Sequence, residues 1–560
     1  MNALISKRLL VIYVCASLYV LACWNSSASL GASEKVKLSE NYTKCGIVSV
    51  LADGQNHAHA VWAAPKGPDT PYYYYYFYSN NVSGVWSKPE IISGYLDVWL
   101  TTSYTGGNAV FALDSSNKAH FAFVASYGSS DDQIFYTSNV SGSWSIPIPV
   151  SANDWGVSDV TLNLDATGKA HIAWVAPDTA PGLFDYYELY YSSNILGSFS
   201  TPLKATEDDV GQTEPIIEVG TDRCVHISYL QGHGGIFYTY KRINDAGFSA
   251  SVEVYTGNNK NDYHRMKVDS NGFVHLVWWH SEGFGGHIAY SDNVQGSFKS
   301  PVWVEKPVES YCYASLALDR NCKSHIVFTD LDNVYYVNDV QGSFSYPQQV
   351  SNDELRGASA DIKIGTSGQV HIAWQGHSFV YDEDKKKYVC TNALYTTSIQ
   401  DDSITSPQTV LTEQTPAEVN WTVSVDFDSN NETHVIWSTS GDEGSVWYTK
   451  ATAVGPSGPS ETWYLAEGCT NGGFESWVLV QNPNNNEANV SLTYMTPSGP
   501  VTGPSAKLPA NSRKTFCISD AVPNQWEVST KVTSDKPVIA ERSVYWGNRK
   551  EGTDSIGVSQ

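Results

Sequence analysis

The stretch Asp269-Ser270-Asn271-Gly272-Phe273-Val274-His275-Leu276-Val277-Trp278 decides the fold of this chain. A hydrophobic segment runs into Asp269, and a short polar turn with Gly272 follows. A second apolar segment then opens at His275 and ends on an aromatic residue. Polar residues and glycine between two apolar segments predict two antiparallel strands joined by a tight turn.

This hairpin pattern occurs eight times. The copies align on a histidine, and the spacing of 46 to 63 residues is typical of propeller blades. The eight histidines are His59, His120, His171, His226, His275, His325, His371 and His434. An aromatic residue follows each histidine by three positions. An aspartate precedes it by six in six copies, at Asp53, Asp114, Asp165, Asp269, Asp319 and Asp428, and Gly220 and Gly365 replace it in the other two.

Each copy continues with a third, aromatic-rich strand, a turn with glycine, and a fourth strand. One repeat is therefore one four-stranded blade. Copy eight reaches a Gly/Pro-rich segment, Gly455 to Pro459, before a fourth strand appears, and Lys35 to Ser39 resembles that missing strand. We predict an all-β fold, an eight-bladed β-propeller closed by an N-terminal strand, which leaves no open sheet edge.

The pattern changes after the propeller. Residues 453–460 have linker composition, and residues 461–560 alternate between apolar and polar positions in several short stretches. The predicted organisation is a signal peptide (1–33), the propeller (34–452), the linker (453–460) and a small β-sandwich (461–560).

The first residues are typical of an export signal. Lys7 and Arg8 precede an apolar run from Leu9 to Ala22 that is short for a spanning helix. We expect a secreted or cell-surface protein with no membrane insertion after signal removal, and Cys23 is an alternative site for a lipid anchor. In an oxidising compartment, Cys312 with Cys322 and Cys469 with Cys517 are candidate disulfides.

The composition excludes one class of partner. The chain has 34 basic and 58 acidic residues and a formal net charge of −24. Nucleic-acid binding needs clustered lysine and arginine, and the sequence has no such cluster. No spacing of cysteine and histidine suggests a metal site, and no cofactor is expected, although the abundant aspartate is compatible with a structural cation such as calcium.

The repeat Asp-x-x-Gly-x-x-His-hydrophobic-x-aromatic resembles the BNR or Asp-box repeats of the sialidase-like propeller superfamily, over roughly residues 35 to 450. Such repeats usually have an aromatic residue at the position of the histidine, and that departure also resembles repeats of some propeller polysaccharide lyases. The C-terminal stretches Trp463 to Gly468 and Asp535 to Trp546 resemble an uncharacterised module of secreted bacterial proteins, which implies an extracellular setting. These resemblances imply a fold and no specific activity.

The repeated residues are expected to be structural, because a catalytic group is needed once and these residues recur around the ring. We expect aspartate to bond its own turn and histidine to bond a neighbouring blade. The repeat turn joins strands A and B of each blade, so it marks one face of the propeller. Non-repeated residues in the loops from D to A and from B to C, on the opposite face, are the functional candidates.

These loops supply aromatic, charged and histidine side chains, which suit a carbohydrate because rings stack on sugars and polar groups bond hydroxyls. The candidate ligand-binding residues are Trp99, Trp155, His233, Tyr263, His264, Arg265, His280, His287, Tyr311, Arg356 and Trp421. The favoured hypothesis is non-enzymatic recognition of a glycan or a cell-surface partner.

Two enzymatic hypotheses and one structural hypothesis stand beside it. Sialidase activity is not expected, because only Arg265 and Arg356 remain as functional-face arginines where that family uses three. A polysaccharide lyase acting on an acidic glycan would use Tyr263, His264, Arg265 and His280 as base, acid and charge-neutralising groups. A glycoside hydrolase stays open as well, since carboxylate separation is not readable from sequence. A structural cell-surface scaffold is the third class.

Overall fold

The computed structural model of the chain describes residues 35–39, 45–65, 74–94, 96, 109–126, 132–151, 156–177, 187–207, 210–232, 234–256, 261–282, 285–308, 312–330, 333–351, 356–365, 367–382, 387–400, 403–405, 407–416, 422–439, 444–452, 459–556 and 558–559. The chain divides into two compact units, residues 1–453 and 454–560. The predicted signal peptide and lipid anchor lie outside the described residues. No helix in the described part of the chain is long and apolar enough to cross a membrane.

The first unit is an eight-bladed β-propeller, as predicted. Blades one to four contain β2 (Gly46–Ala52), β3 (Ala58–Pro65), β4 (Tyr74–Asn80), β5 (Glu90–Ile91); β6 (Ala109–Leu113), β7 (Ala119–Ala125), β8 (Gln133–Ser138), β9 (Ile148–Pro149); β10 (Ser158–Leu164), β11 (Ala170–Pro177), β12 (Tyr187–Ser193), β13 (Leu203–Lys204); β14 (Gln212–Val219), β15 (Val225–Gln231), β16 (Gly235–Lys241), β17 (Val252–Tyr255).

The remaining blades follow the same antiparallel order. Blades five to seven contain β18 (Asn261–Val268), β19 (Val274–Glu282), β20 (Gly285–Asp292), β21 (Val302–Val308); β22 (Ala314–Leu318), β23 (Ser324–Asp330), β24 (Asn333–Asn338), β25 (Gln348–Gln349); β26 (Arg356–Ile364), β27 (Val370–Asp382), β28 (Lys387–Gln400), β29 (Ser403–Ile404), β30 (Gln408–Pro416). Blade eight contains β31 (Thr422–Phe427), β32 (Glu432–Thr439) and β33 (Ser445–Thr452).

The N-terminal strand β1 (Val36–Lys37) completes blade eight and confirms the predicted closure. Val36 pairs with Tyr448 of β33, and the backbone N–H of Leu38 donates to the carbonyl of Val446 over 2.8 Å. Leu38 is buried in the same core as Trp62 of blade one. The two ends of the propeller sequence therefore share one sheet, and no blade edge is left open at the seam.

The A–B turn has a fixed geometry in which the aspartate bonds its own turn, as expected. One carboxylate oxygen of Asp269 accepts the backbone N–H groups of Asn271 and Phe273, each over 2.8 Å. Gly272 sits in the turn with a φ of 83°, a conformation that favours glycine.

The expectation that the motif histidine bonds a neighbouring blade is wrong for most copies. In seven blades the histidine Nδ1 lies 2.6 to 2.9 Å from the hydroxyl of a tyrosine on the third strand of its own blade. Blade seven differs because Thr396 stands where the others have tyrosine. There His371 bonds Asn431 of blade eight over 2.9 Å.

The same tyrosines hold neighbouring blades together. Six of the seven pack edge-on against an aromatic ring from the C–D turn of the next blade, with centroids 4.7 to 5.3 Å apart. The pairs are Tyr78–Trp144, Tyr136–Phe199, Tyr191–Phe248, Tyr238–Phe298, Tyr290–Phe344 and, across the closure, Tyr448–Trp86. One side chain thus joins the histidine within a blade to the next blade.

Both candidate disulfides are wrong in this structure, because all four cysteines are free. Cys312 and Cys322 lie beyond opposite ends of the five-residue strand β22, and an extended strand holds such residues too far apart to bond. Cys469 contacts the carbonyl of Asn471, and Cys517 contacts the hydroxyl of Ser519, so each thiol faces its own loop.

The C-terminal unit contains eight strands and, within its described residues, one short 3₁₀-helix, η1 (Ile518–Asp520). The strands are β34 (Ser460–Leu465), β35 (Glu475–Asn482), β36 (Ala488–Thr496), β37 (Gly499–Leu508), β38 (Ser512–Cys517), β39 (Ser529–Trp546), β40 (Glu551–Ile556) and β41 (Val558–Ser559). The two layers of the predicted sandwich are joined through β39, whose first half pairs with β34 and β36 and whose second half pairs with β35 and β40. The result is one sheet curled around a core that includes Trp463, Val480 and Phe516.

Candidate functional site

The first strands of the blades surround the central channel. These innermost strands contact one another from blade to blade, as β10 contacts β14 and β14 contacts β18. Their side chains alternate along β18. Tyr263, Arg265 and Lys267 are partly or largely exposed on one side, and His264 and Met266 are buried on the other. The exposed set therefore faces the channel, and the buried set packs between blades.

Several first strands are bulged near their start, where the chain enters from the D–A loop. The pairing register shifts between Ser158 and Thr161 in β10, and at the equivalent places in β14, β18 and β26. The bulged residue has a positive φ in each case: 53° at Asp159, 52° at Glu214, 55° at Tyr263 and 46° at Ser359. All four stand twelve residues before the motif histidine. A left-handed conformation is costly for a tyrosine in particular, and such strain concentrates at functional sites.

Residues at this position contact each other between neighbouring blades. The backbone N–H of Glu214 donates to Asp159 Oδ2 over 3.4 Å. The ring of Tyr263 lies 4.4 Å from that of Tyr313, which occupies the same position in blade six just before β22. All four side chains are partly exposed. We call Asp159, Glu214, Tyr263 and Tyr313 the channel rim.

The channel rim is acidic, because it carries the carboxyl groups of Asp159 and Glu214. Burial raises the pKa of Asp159 above its ordinary value, and the hydrogen bond from the Glu214 amide acts in the opposite direction. Just inside the rim, Arg265 is exposed, and its guanidinium donates to the carbonyl of His264 over 2.9 Å. Deeper still, Lys267 pairs with Glu218 over 2.6 Å, so that the nearby cation is neutralised.

His264 does not lie on the open face that the sequence suggested. Its side chain is 1% exposed and points between blades four and five, where Nε2 lies 3.0 Å from the hydroxyl of Ser228. Burial, reinforced by the charge of Arg265, lowers the pKa of His264 to about 3. At neutral pH it is an uncharged packing residue. The alternation along β18 separates it from its sequence neighbours Tyr263 and Arg265.

His280 and His287 belong to a second aromatic cluster, at the outer part of blade five. They face each other across β19 and β20. The ring of Trp303 lies 5.2 Å from His280 and 5.5 Å from His287, and Tyr255 of blade four lies 5.3 Å from His280. His280 is 3% exposed, whereas Trp303 is 39% exposed. In this cluster Trp303 is exposed to solvent and His280 is buried.

The two glycines before His287 are part of the blade. They lie in strand β20 instead of a loop open to a ligand. A Cβ atom at Gly286 would lie 2.2 Å from the carbonyl oxygen of His280 and 2.8 Å from Nε1 of Trp279. The close approach that requires glycine is thus with the chain's own second strand.

In blade seven a long hairpin projects from the face that carries the D–A and B–C loops. Its second strand, β27, continues to Asp382, eleven residues past the motif histidine, whereas the second strands of the other blades end five to seven residues past theirs. Because the rise is about 3.3 Å per residue, the hairpin of β27 and β28 extends roughly 15 Å beyond its neighbours. It forms a wall at one side of the face.

Five of the predicted ligand-binding residues lie outside the described residues: Trp99, Trp155, His233, Tyr311 and Trp421. Arg356 opens β26, but its side chain is not among those described. For these six positions the sequence-based role stays a prediction.

The four residues proposed for a lyase do not converge. Tyr263 and Arg265 face the channel, His264 faces the blade interface, and His280 is buried in the outer cluster. Arg223 lies in the A–B turn of blade four, between β14 and β15, and pairs with Asp165 over 3.1 Å. Among the described residues, no three histidine, cysteine, aspartate or glutamate side chains are grouped as metal ligands, and a structural cation stays a prediction.

Of the channel rim, only Tyr263 was among the candidate ligand-binding residues predicted from sequence, and Asp159, Glu214 and Tyr313 were not. Tyr255 and Trp303 of the outer cluster were missed as well. The rim residues had a usable signal, because their distance of twelve residues from the motif histidine is constant. The outer cluster had none, since it combines third-, fourth- and second-strand positions of two blades.

No protein-family model matches the chain, and no curated protein matches it. Several solved structures are similar at low identity. An ulvan lyase of a new polysaccharide lyase family is 10% identical over 75% of this chain and 97% of its own, with a TM-score of 0.41. An exo-β-1,3-galactanase from Phanerochaete chrysosporium is 10% identical over 69% of this chain and 95% of its own, with a TM-score of 0.25. A Thermotoga maritima protein is 16% identical over 18% of this chain and 96% of its own, with a TM-score of 0.17. Likeness at this level carries no functional argument.

Proposed function

We propose that the propeller binds a carbohydrate chain at the channel rim and does so as a recognition protein. One observation carries the proposal: a strained backbone position in neighbouring blades presents Asp159, Glu214 and Tyr263 to the channel mouth, and Tyr263 is paired with Tyr313. The tyrosine rings supply a surface on which the apolar face of a pyranose stacks. The carboxyl groups beside them accept hydrogen bonds from sugar hydroxyls.

The chemistry of the rim favours a neutral or positively charged glycan over a uronate. Two carboxyl groups stand at the mouth against one exposed cation, Arg265, while Lys267 is paired with Glu218, and the formal net charge of the chain is −24. A polyanion would be repelled by these charges at low salt. The projecting hairpin of blade seven bounds the same face and suits a chain that runs across the mouth.

The test is a glycan array followed by calorimetry on the tightest neutral glycan. We expect Tyr263→Ala to weaken binding by tenfold or more, since losing an aromatic stack costs about 1.5 kcal/mol. Tyr346→Ala is the matched control, because Tyr346 is 77% exposed in a C–D turn on the opposite face. Absence of binding to every glycan, or equal affinity of both variants, would contradict glycan binding at the channel rim.

Glycoside hydrolysis is the second candidate function. It is supported by the raised pKa of Asp159 next to Glu214, since hydrolases pair a protonated carboxyl group with an ionised one. Release of reducing ends from the bound glycan, abolished by Asp159→Asn, would support it. Unsaturated products absorbing in the ultraviolet would instead support the lyase, whose buried His264 and His280 make it the weaker alternative.

Export of the protein is part of the proposal. The support is the apolar run after Lys7 and Arg8 and the resemblance of the repeats to Asp-box propellers. N-terminal sequencing of the mature protein distinguishes cleavage near residue 33 from lipidation at Cys23, and retention of the full N-terminus would refute export through this segment.

A further inference from the structure

We propose that the C-terminal unit has a carbohydrate-binding surface of its own, centred on Trp526 and suited to a neutral polysaccharide. This surface is separate from the channel rim, and its argument does not depend on the function proposed for the propeller. Trp526 is 57% exposed and is the most exposed tryptophan in the described part of the chain. An exposed indole offers a large apolar face that a planar ligand can cover.

The ring of Trp526 lies over a glycine. A Cβ atom at Gly472 would lie 2.5 Å from Cη2 and 3.0 Å from Cζ3 of the indole, so any other residue would displace the ring. Gly472 also has a φ of 63°, which glycine adopts readily. One side of the indole therefore rests on the backbone, and its large exposed area is available to a planar partner.

Hydrogen bonds hold the two loops beneath the ring in place. Thr470 donates its backbone N–H to the carbonyl of Gln525 over 2.8 Å and its hydroxyl to the carbonyl of Val522 over 2.6 Å. The side-chain amide of Asn471 donates to the carbonyl of Asn524 over 3.3 Å. Because both loops are tied together, the indole is positioned before any ligand arrives, which lowers the entropic cost of binding.

Further rings continue from the same turn. Phe474 ends it and packs 5.8 Å from Trp546. Next to Trp546, Tyr545 is 37% exposed and lies over Gly552, where a Cβ atom would be 2.6 Å from its ring. Trp526 and Tyr545 are thus two exposed rings of this unit that each rest on a glycine.

The chemistry around Trp526 indicates a neutral ligand. The loops Cys469 to Phe474 and Val522 to Trp526 contain amide, hydroxyl and glycine residues, and the one charged residue directly beside Trp526 is the exposed Glu527, which would repel an acidic polysaccharide. The nearby Glu475 and Arg549 neutralise each other through two contacts of 2.6 and 2.8 Å. Amides donate to and accept from sugar hydroxyls, and an indole stacks on the apolar face of a pyranose. Acidic polysaccharides would find no counter-charge here.

Affinity electrophoresis of the full-length protein tests the proposal. Native gels contain hydroxyethylcellulose, laminarin, galactomannan or, as the acidic comparison, alginate. We expect retardation in at least one neutral gel. Trp526→Ala should weaken it tenfold or more, whereas Tyr263→Ala in the propeller and Tyr346→Ala should leave the Trp526-dependent part unchanged. Gly472→Ala, which displaces the ring without removing it, should also weaken it.

Circular dichroism and the melting temperature of each variant separate lost binding from lost folding. The proposal is overturned if no neutral polysaccharide retards the protein, if retardation occurs only in alginate, or if Trp526→Ala migrates like the unchanged protein. Loss of retardation in Tyr263→Ala but not in Trp526→Ala would support the channel rim and overturn the C-terminal surface, so the two proposals fail separately.

Discussion

The two ends of the first strand of blade three are built in opposite ways. At the turn end, Asp165 is 5% exposed and one of its oxygens accepts three hydrogen bonds, while the other meets Arg223. Its pKa is lowered to about 2, because these partners outweigh the effect of burial. At the mouth end, Asp159 accepts one long hydrogen bond and its pKa is raised by burial.

This difference suggests that the turn end of the seven-residue strand β10 serves folding, whereas its mouth end serves function. The turn end repeats around the ring, and in six blades its aspartate accepts backbone N–H groups of its own turn. Left-handed non-glycine residues occur at both ends of the first strands. At the turn end most of them are asparagines, which fit this conformation readily, whereas at the mouth end they lie in strand bulges and their residue type varies from blade to blade. Strain of this kind persists only when the rest of the structure imposes it, and functional sites are where it is found. Mutations at the two ends should therefore have opposite consequences.

The largest effect is expected where the repeating scaffold closes. Leu38→Asp places a charge in the core shared by blades eight and one, and we expect the free energy of unfolding to fall by about 4 kcal/mol. Lys37→Asp, at an exposed site on the same segment, should cost less than about 1 kcal/mol. Urea titration followed by tryptophan fluorescence measures both. Equal effects would mean that the N-terminal strand does not close the ring.

The same substitution at both ends of β10 tests the comparison directly. Asp165→Asn should lower the free energy of unfolding by about 2 to 3 kcal/mol. Asparagine has one acceptor oxygen where aspartate has two, and Arg223 loses its carboxylate partner. Asp159→Asn should be neutral or stabilising by up to about 1 kcal/mol, because the uncharged amide avoids the desolvation that raises the pKa there.

Glycan affinity should show the reverse order, with Asp159→Asn weakened and Asp165→Asn unchanged at temperatures where it is folded. Thermal melts and calorimetry on the same preparations provide both readouts. A large loss of stability in Asp159→Asn would show that the mouth end is structural as well.

The scaffold could be predicted from sequence because it repeats. Eight aligned histidines gave the blade count, and the missing fourth strand of copy eight gave the closure at Lys35 to Ser39. The tyrosine partner of each histidine was not predicted, since its sequence distance from the histidine varies with the length of the B–C loop, from eleven residues to Tyr336 up to twenty to Tyr191.

The site was harder to predict because it depends on departures from the repeat. The bulge at Tyr263 and the alternation after it decide that Tyr263 and Arg265 face the channel and that His264 does not. Residue types alone placed all three together. In the C-terminal unit, the pairing of β39 with strands of both layers, through a segment that includes Pro537, made two predicted strands into one.

Acid should destabilise the propeller through its buried histidines. Burial lowers the pKa of the motif histidines His171 and His226 to about 4, whereas an unfolded histidine titrates near its ordinary value of 6.5. Between these pH values the unfolded state binds protons that the native state does not, so stability falls as pH falls. Each such histidine contributes up to about 1.4 kcal/mol per pH unit.

Urea midpoints at pH 7 and pH 5 measure the effect. His226→Gln should be less stable than the unchanged protein at pH 7, yet its midpoint should fall less between the two pH values, because one titrating group is gone. An unchanged pH dependence in that variant would show that the imidazole is protonated in the native state.

The smallest effect is expected at the mouth end, where stability and binding should move in opposite directions. Tyr263→Gly relieves a left-handed conformation and should raise the free energy of unfolding by about 1 kcal/mol, reduced by the greater freedom of glycine in the unfolded chain. It also removes the ring that packs against Tyr313, so glycan affinity should fall tenfold or more.

Tyr263→Asn, which tolerates the left-handed conformation, separates the two contributions, because it should keep the gain in stability and still lose the stack. If both variants were destabilised, Tyr263 would be held in place for packing, and the contrast between the two ends of the strand would not extend to blade five.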